Sequence, residues 1–129
     1  MALVSGLHHA SLKCVNENEF KRAVDFYKQV LKIAPVRQWE QGIMFDTGCG
    51  IIEIFNNGKE KRQKGIIEHF AFKTDCVDDC VNAVKGAGYQ ITRGPVDIDI
   101  PTVPVYPVRV AFCIGPLGEE IEFFQERKA

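Results

Sequence analysis

Two histidines and two glutamates hold matching places in the two halves of this sequence. His9 lies in Leu7-His8-His9-Ala10-Ser11-Leu12-Lys13, and His69 lies in Ile67-Glu68-His69-Phe70-Ala71-Phe72-Lys73. Both runs read as strands, and laying His9 over His69 keeps the two imidazoles on one face. Toward the end of each half, Ile51-Ile52-Glu53-Ile54-Phe55 lies over Glu120-Ile121-Glu122-Phe123-Phe124, so Glu53 falls on Glu122. Strand side chains alternate, so a glutamate between two apolar residues projects from the face opposite to them. If the apolar residues face helices, all four polar groups share the other face. Two imidazoles and two carboxylates directed into one cavity have the composition of a divalent-metal site, with nitrogen and hard oxygen donors and no thiolate. Taken singly, each is more simply a glutamate facing water or a histidine satisfied by a polar neighbour. The repeated placement of all four favours the ion.

The elements that must position these residues repeat as well. After the first strand-like run, Phe20, Val24, Tyr27, Val30 and Leu31 recur at helical spacing. Asn16 or Asn18 is the candidate cap, and Pro35 ends any continuation. Short strands are expected over Val36 to Trp39, Ile43 to Asp46 and Ile51 to Phe55, with turns at Gln41-Gly42 and Gly48-Cys49-Gly50. In the second half, Ile66 to Lys73 is strand-like. Asp75 or Asp78 then starts a helix carrying Val77, Cys80, Val81 and Val84, which Gly86 and Gly88 stop. Strands follow over Tyr89 to Thr92, Val108 to Ile114 and Glu120 to Gln125, the last two joined by Gly115-Pro116-Leu117-Gly118. Gly94 to Pro107, with its four prolines, reads as the one long loop. Each half is therefore strand, helix and three strands, in modules of about 6–56 and 66–126 joined by the basic segment 56–64. About 55 residues rarely make a secure core alone, so the two modules are expected to pack or pair as a single domain over 1–129.

Composition narrows the partners. The net charge is −1, with 16 basic and 17 acidic residues, and the basic residues are scattered. Neither nucleic acid nor an acidic membrane is expected. The dense patch Lys59 to Lys64 reads as a solvated linker. No apolar run approaches the roughly 20 residues of a membrane span, and the N-terminus lacks the pattern of a signal peptide. The five cysteines are an odd number set in apolar stretches. Free thiols in a reducing cytoplasm fit them better than disulfides, and Cys76 and Cys80 lack the spacing of a zinc knuckle.

The paired strand–helix–three-strand plan resembles the vicinal oxygen chelate superfamily, which includes glyoxalase I, extradiol dioxygenases and bleomycin-binding proteins. LHHASL, AVDFYKQVL, EHFAFKTD and GPLGEEIEFFQ carry the resemblance, which spans about Leu7 to Gln125. It implies an α+β fold of two βαβββ modules forming a curved mixed sheet, and one divalent ion (nickel, cobalt, zinc or manganese) on His9, Glu53, His69 and Glu122. That ligand set is most similar to the glyoxalase I (lactoylglutathione lyase) branch, with Glu53 the most discriminating position.

The resemblance further implies a lyase or isomerase acting on a small molecule with vicinal oxygens, by proton transfer through a metal-chelated enediolate. Glu122 is the first choice for the base and Glu53 its partner. The alternatives are a thioester epimerase of the same superfamily, or a protein that sequesters a small antibiotic-like molecule without turnover. Arg37 matches a position where glyoxalase I meets a substrate carboxylate. Arg93 and Arg109 flank the long loop and are further candidates for an anionic substrate. Trp39, Phe45 and Tyr106 are candidate pocket residues, with core packing as the ordinary role of such aromatics. After Leu31 the family usually has glycine where this chain has Lys32. A homodimer is also implied.

Overall fold

A computed structural model describes residues 6–59, 65 and 67–128. Most of the predicted linker, residues 60–64, lies outside the described residues, as does Ile66. The chain divides into two compact units, Met1–Arg62 and Gln63–Ala129.

The first unit runs β1 (His9–Lys13), α1 (Glu17–Asp25), β2 (Ala34–Trp39), β3 (Gly42–Asp46) and β4 (Ile51–Phe55). Asn16 caps α1 by accepting from the Glu19 N–H at 2.8 Å, and the Glu19 carboxylate accepts in turn from the Val15 N–H at 2.9 Å. The helix widens into a π-helical turn over Phe26–Val30, and Leu31 N–H then reaches the Phe26 carbonyl. Lys32 takes a left-handed conformation, with φ of 58°. Four strands form a mixed sheet in the order β1-β4-β3-β2, with β1 parallel to β4 and the other pairs antiparallel. Ile43, Phe45, Ile52 and Ile54 form its buried face, and Ala23, Phe26 and Tyr27 complete the core.

The second unit repeats that plan: β5 (Phe70–Lys73), α2 (Val77–Gly86), β6 (Ile91–Ile100), β7 (Tyr106–Ile114) and β8 (Glu120–Glu126). Its sheet order is β5-β8-β7-β6, again with one parallel pair. The fold is thus α+β, with two four-stranded mixed sheets.

Two expectations are corrected. Most of the long loop expected over Gly94 to Pro107 is strand: β6 continues to Ile100 and pairs with β7 as far as Asp99↔Pro107. Val96-Asp97-Ile98-Asp99-Ile100 alternates with period two, and Pro95 is tolerated because β6 is an edge strand. Neither Asp75 nor Asp78 caps α2. Cys76 holds the cap position without a side-chain bond, and Gln125 of β8 accepts from the Val77 N–H at 2.9 Å. No helix among the described residues is long and apolar enough to cross a membrane.

Candidate functional site

Within each unit, strand register decides which side chains meet. Residues opposite one another on neighbouring strands share a face. In the first unit Glu53 lies opposite Ser11 on one side and Met44 on the other. Ile52 and Ile54 take the opposite face, into the core below α1. In the second unit Glu122 lies between Ala71 and Phe112. Its neighbours Ile121 and Phe123 are buried, and Gln125, of their parity, reaches α2. Both glutamates therefore project from the face turned away from the helix.

Each meets its own histidine. His9 Nε2 is 3.4 Å from Glu53 Oε1, and His69 Nε2 is 3.0 Å from Glu122 Oε1. Glu53 is 7% exposed and Glu122 9%, and they are the only buried charged residues among those described. Burying a carboxylate is costly unless something compensates it. Ser11 Oγ donates to Glu53 Oε1 at 2.6 Å. Among the described residues Glu122 has no such hydroxyl, and His69 is its polar partner. His8 Nδ1 and His9 Nδ1 are 3.0 Å apart, so one of them donates. When the proton is on His9 Nδ1, its Nε2 turns a lone pair toward Glu53, a meeting of acceptors that a cation relieves. His69 packs edge-on against Phe112, with ring centroids 5.2 Å apart, and Glu120 Oε1 approaches its Nδ1 to 3.9 Å.

The donor chemistry of these pairs fits a divalent ion. Ligands about 2.1 Å from a common ion stand about 3.0 Å apart at a right angle and about 3.4 Å at the tetrahedral angle. The two pairs have those separations. No group of three or more His, Cys, Asp or Glu is gathered for metal binding among the described residues, so each unit by itself presents two donors.

The arginines divide by face. Arg37 lies opposite Met44, completing the row Ser11–Glu53–Met44–Arg37. Arg93 lies opposite Phe112, completing Ala71–Glu122–Phe112–Arg93. The two arginines are thus equivalent positions of the repeat. Each is placed by a register shift of one extra residue, between Pro35 and Arg37 in β2 and between Ile91 and Arg93 in β6. A bulge of this kind re-aims the side chains beyond it. Both arginines are exposed, and neither has an ion pair among the described residues.

Arg109 is placed otherwise. It occupies the helix side of its sheet, where its guanidinium donates to Asp78 of α2 at 2.9 Å and to Asp97 of β6 at 3.0 Å. Asp78 first and then Asp97 push its pKa further up. That position ties Arg109 to the packing of α2 on the sheet, on the face opposite Glu122. Phe45 is fully buried in the core, also away from the glutamate face. Trp39 shares the Glu53 face and packs edge-on to Phe55. Tyr106 lies against Phe124, and its phenol pKa is raised by a hydrogen bond to Glu126.

Sequence reasoning missed Ser11 and the equivalence of Arg37 with Arg93. Ser11 carried a usable signal, two residues from His9 and so on its face. The arginine match carried none, because it depends on the two bulges.

A family model described as the Glyoxalase/Bleomycin resistance protein/Dioxygenase superfamily matches residues 6–103. The chain belongs to that superfamily. Solved structures with the glyoxalase fold agree. A glyoxalase/dioxygenase from Nostoc punctiforme is 15% identical over 99% of each chain, with a TM-score of 0.73. A virulence protein from Salmonella typhimurium is 20% identical over 96% of this chain and 98% of that one, with a TM-score of 0.69. A lactoylglutathione lyase from Agrobacterium tumefaciens is 16% identical over 95% of this chain and 94% of that one, with a TM-score of 0.67. At these identities the likeness is one of fold. No curated protein matches the chain in sequence.

Proposed function

We propose that this glyoxalase-superfamily chain works as a single domain, a divalent-metal-dependent lyase or isomerase of the glyoxalase I type. In this reading His9, Glu53, His69 and Glu122 together hold one ion (nickel, cobalt, zinc or manganese). The observation that carries it is the burial of two carboxylates, and no other charged side chain among the described residues, each against an imidazole at an equivalent place in the repeat. Such an ion, when bound, supplies Lewis-acid chemistry that polarises a carbonyl and acidifies the neighbouring C–H.

The substrate is then a small molecule with oxygens on adjacent carbons. Glu122 takes the proton from one carbon and returns it to the next, as general base and then general acid. Its strand neighbours Ala71 and Phe112 offer no hydrogen bond to compete with that transfer. Glu53 is the partner carboxylate. Arg37 and Arg93, on the glutamate rows and without an ion pair among the described residues, are placed to receive an anionic group of the substrate. Five cysteines, none of them in a disulfide, suit a reducing cytoplasm, where we place the protein, and the reading includes a homodimer.

The test is proton exchange. Protein loaded in turn with each of the four metals is given hemithioacetals of methylglyoxal in deuterium oxide, and label in the product is followed by NMR. Turnover lost in Glu122→Gln supports the reading. No exchange with any metal sinks it, and leaves acyl thioesters or binding without turnover to be tested next.

A further inference from the structure

The two glutamate rows match position by position, and beside the carboxylate they differ in one hydrogen-bond donor. His9 corresponds to His69, Glu53 to Glu122 and Arg37 to Arg93, but Ser11 corresponds to Ala71. The Ser11 hydroxyl donates to Glu53 Oε1 at 2.6 Å, short enough for a charge-assisted bond. Ala71 has nothing to donate to Glu122. On the other side of each glutamate stand Met44 and Phe112, which have no side-chain donor either.

We infer that Ser11 is a positioning residue that makes the two carboxylates unequal. It ties Glu53 to the neighbouring strand in one orientation, as a fixed ligand, while Glu122 keeps the freedom to turn toward a substrate carbon. The inference rests on the metal reading above and adds to it the reason why Glu122, and not Glu53, moves the proton.

Cobalt(II) is the probe. Its affinity is measured by competition with a chromophoric chelator, alongside the visible spectrum of the cobalt protein. The proteins are wild type, Ser11→Ala, Ser11→Thr, Glu53→Ala and Glu122→Ala, and Ser11→Ala combined with each glutamate variant. Alanine already stands at the equivalent strand position in the second unit, so Ser11→Ala is compatible with the fold.

Ser11→Ala is expected to weaken cobalt binding about tenfold or more, as losing the partner of a ligand does, and to shift the visible bands. Ser11→Thr, which keeps the hydroxyl, restores both. The effect of Ser11→Ala vanishes in the Glu53→Ala background and persists with Glu122→Ala, since a pairwise coupling disappears with its partner. Wild-type affinity and spectrum in Ser11→Ala overturn the inference, as does an equal effect in both glutamate backgrounds. Wild-type protein that takes up no cobalt overturns the metal reading itself, and the role of Ser11 with it.

Discussion

Replacing Glu122 by glutamine keeps the shape of the side chain and removes its charge, which separates what the carboxylate does for the fold from what it does for an ion. The carboxylate is 9% exposed, and His69 Nε2 is its polar partner at 3.0 Å. Without metal, a buried charge with so little compensation adds no stability, so the melting temperature of Glu122→Gln should equal or exceed that of wild type. With metal at 100 times its dissociation constant, the wild type gains about 2.7 kcal/mol. For 129 residues the unfolding entropy is about 0.27 kcal/mol/K, so that gain raises the melting temperature by about 10 °C. Losing a charged ligand should weaken binding at least about 100-fold, the upper end of the cost of losing a mere outer partner. At the same metal concentration the gain falls to about 0.4 kcal/mol, or about 1.5 °C. Differential scanning calorimetry of both proteins, with and without nickel, cobalt or zinc, reads all four numbers. An equal metal-induced rise in wild type and Glu122→Gln would refute the assignment of Glu122 as a ligand.

Three further outcomes are expected. Arg37→Ala and Arg93→Ala should each raise KM for an anionic substrate severalfold and leave metal content unchanged, whereas Arg109→Ala, which cuts α2 from Asp97 and its sheet, should lower the melting temperature and leave KM alone. Lys32→Gly should raise stability by about 0.5–1 kcal/mol, the strain of a left-handed non-glycine residue less the extra chain entropy of glycine, as chemical denaturation would show. The exposed Cys49 should react readily with a thiol reagent at pH 8, while Cys113, pushed up to about 12 by burial, stays protonated and inert in the folded protein; mass spectrometry of the labelled sites checks this.

The placement of His9, Glu53, His69 and Glu122 in the fold was legible because strand parity is a local rule and because each pattern occurs twice. Apolar neighbours on both sides of Glu53 and Glu122 were enough to say which face each takes. Where long-range register decides, local reading stopped. The β6 strand was missed because its prolines were weighed above the alternation of Val96, Ile98 and Ile100. The start of α2 was misplaced because one of its orphan N–H groups, that of Val77, is met from Gln125, 48 residues away. The bulges that bring Arg37 and Arg93 onto the glutamate rows leave no trace in composition. They emerge only when β2 is paired with β3 and β6 with β7. Lys32 shows the opposite case: the glycine expected after Leu31 is absent, yet the backbone takes the conformation a glycine would favour, with φ of 58°.

The central claim is that four side chains from two equivalent pairs hold one ion. Elemental analysis of purified wild type beside Glu53→Ala and Glu122→Ala tests it most directly. The account predicts about one divalent ion per chain, falling sharply in both variants, since each removes one of the four ligands. Metal-free wild type that also fails to take up added nickel, cobalt or zinc would contradict it, as would a stoichiometric ion that survives both substitutions.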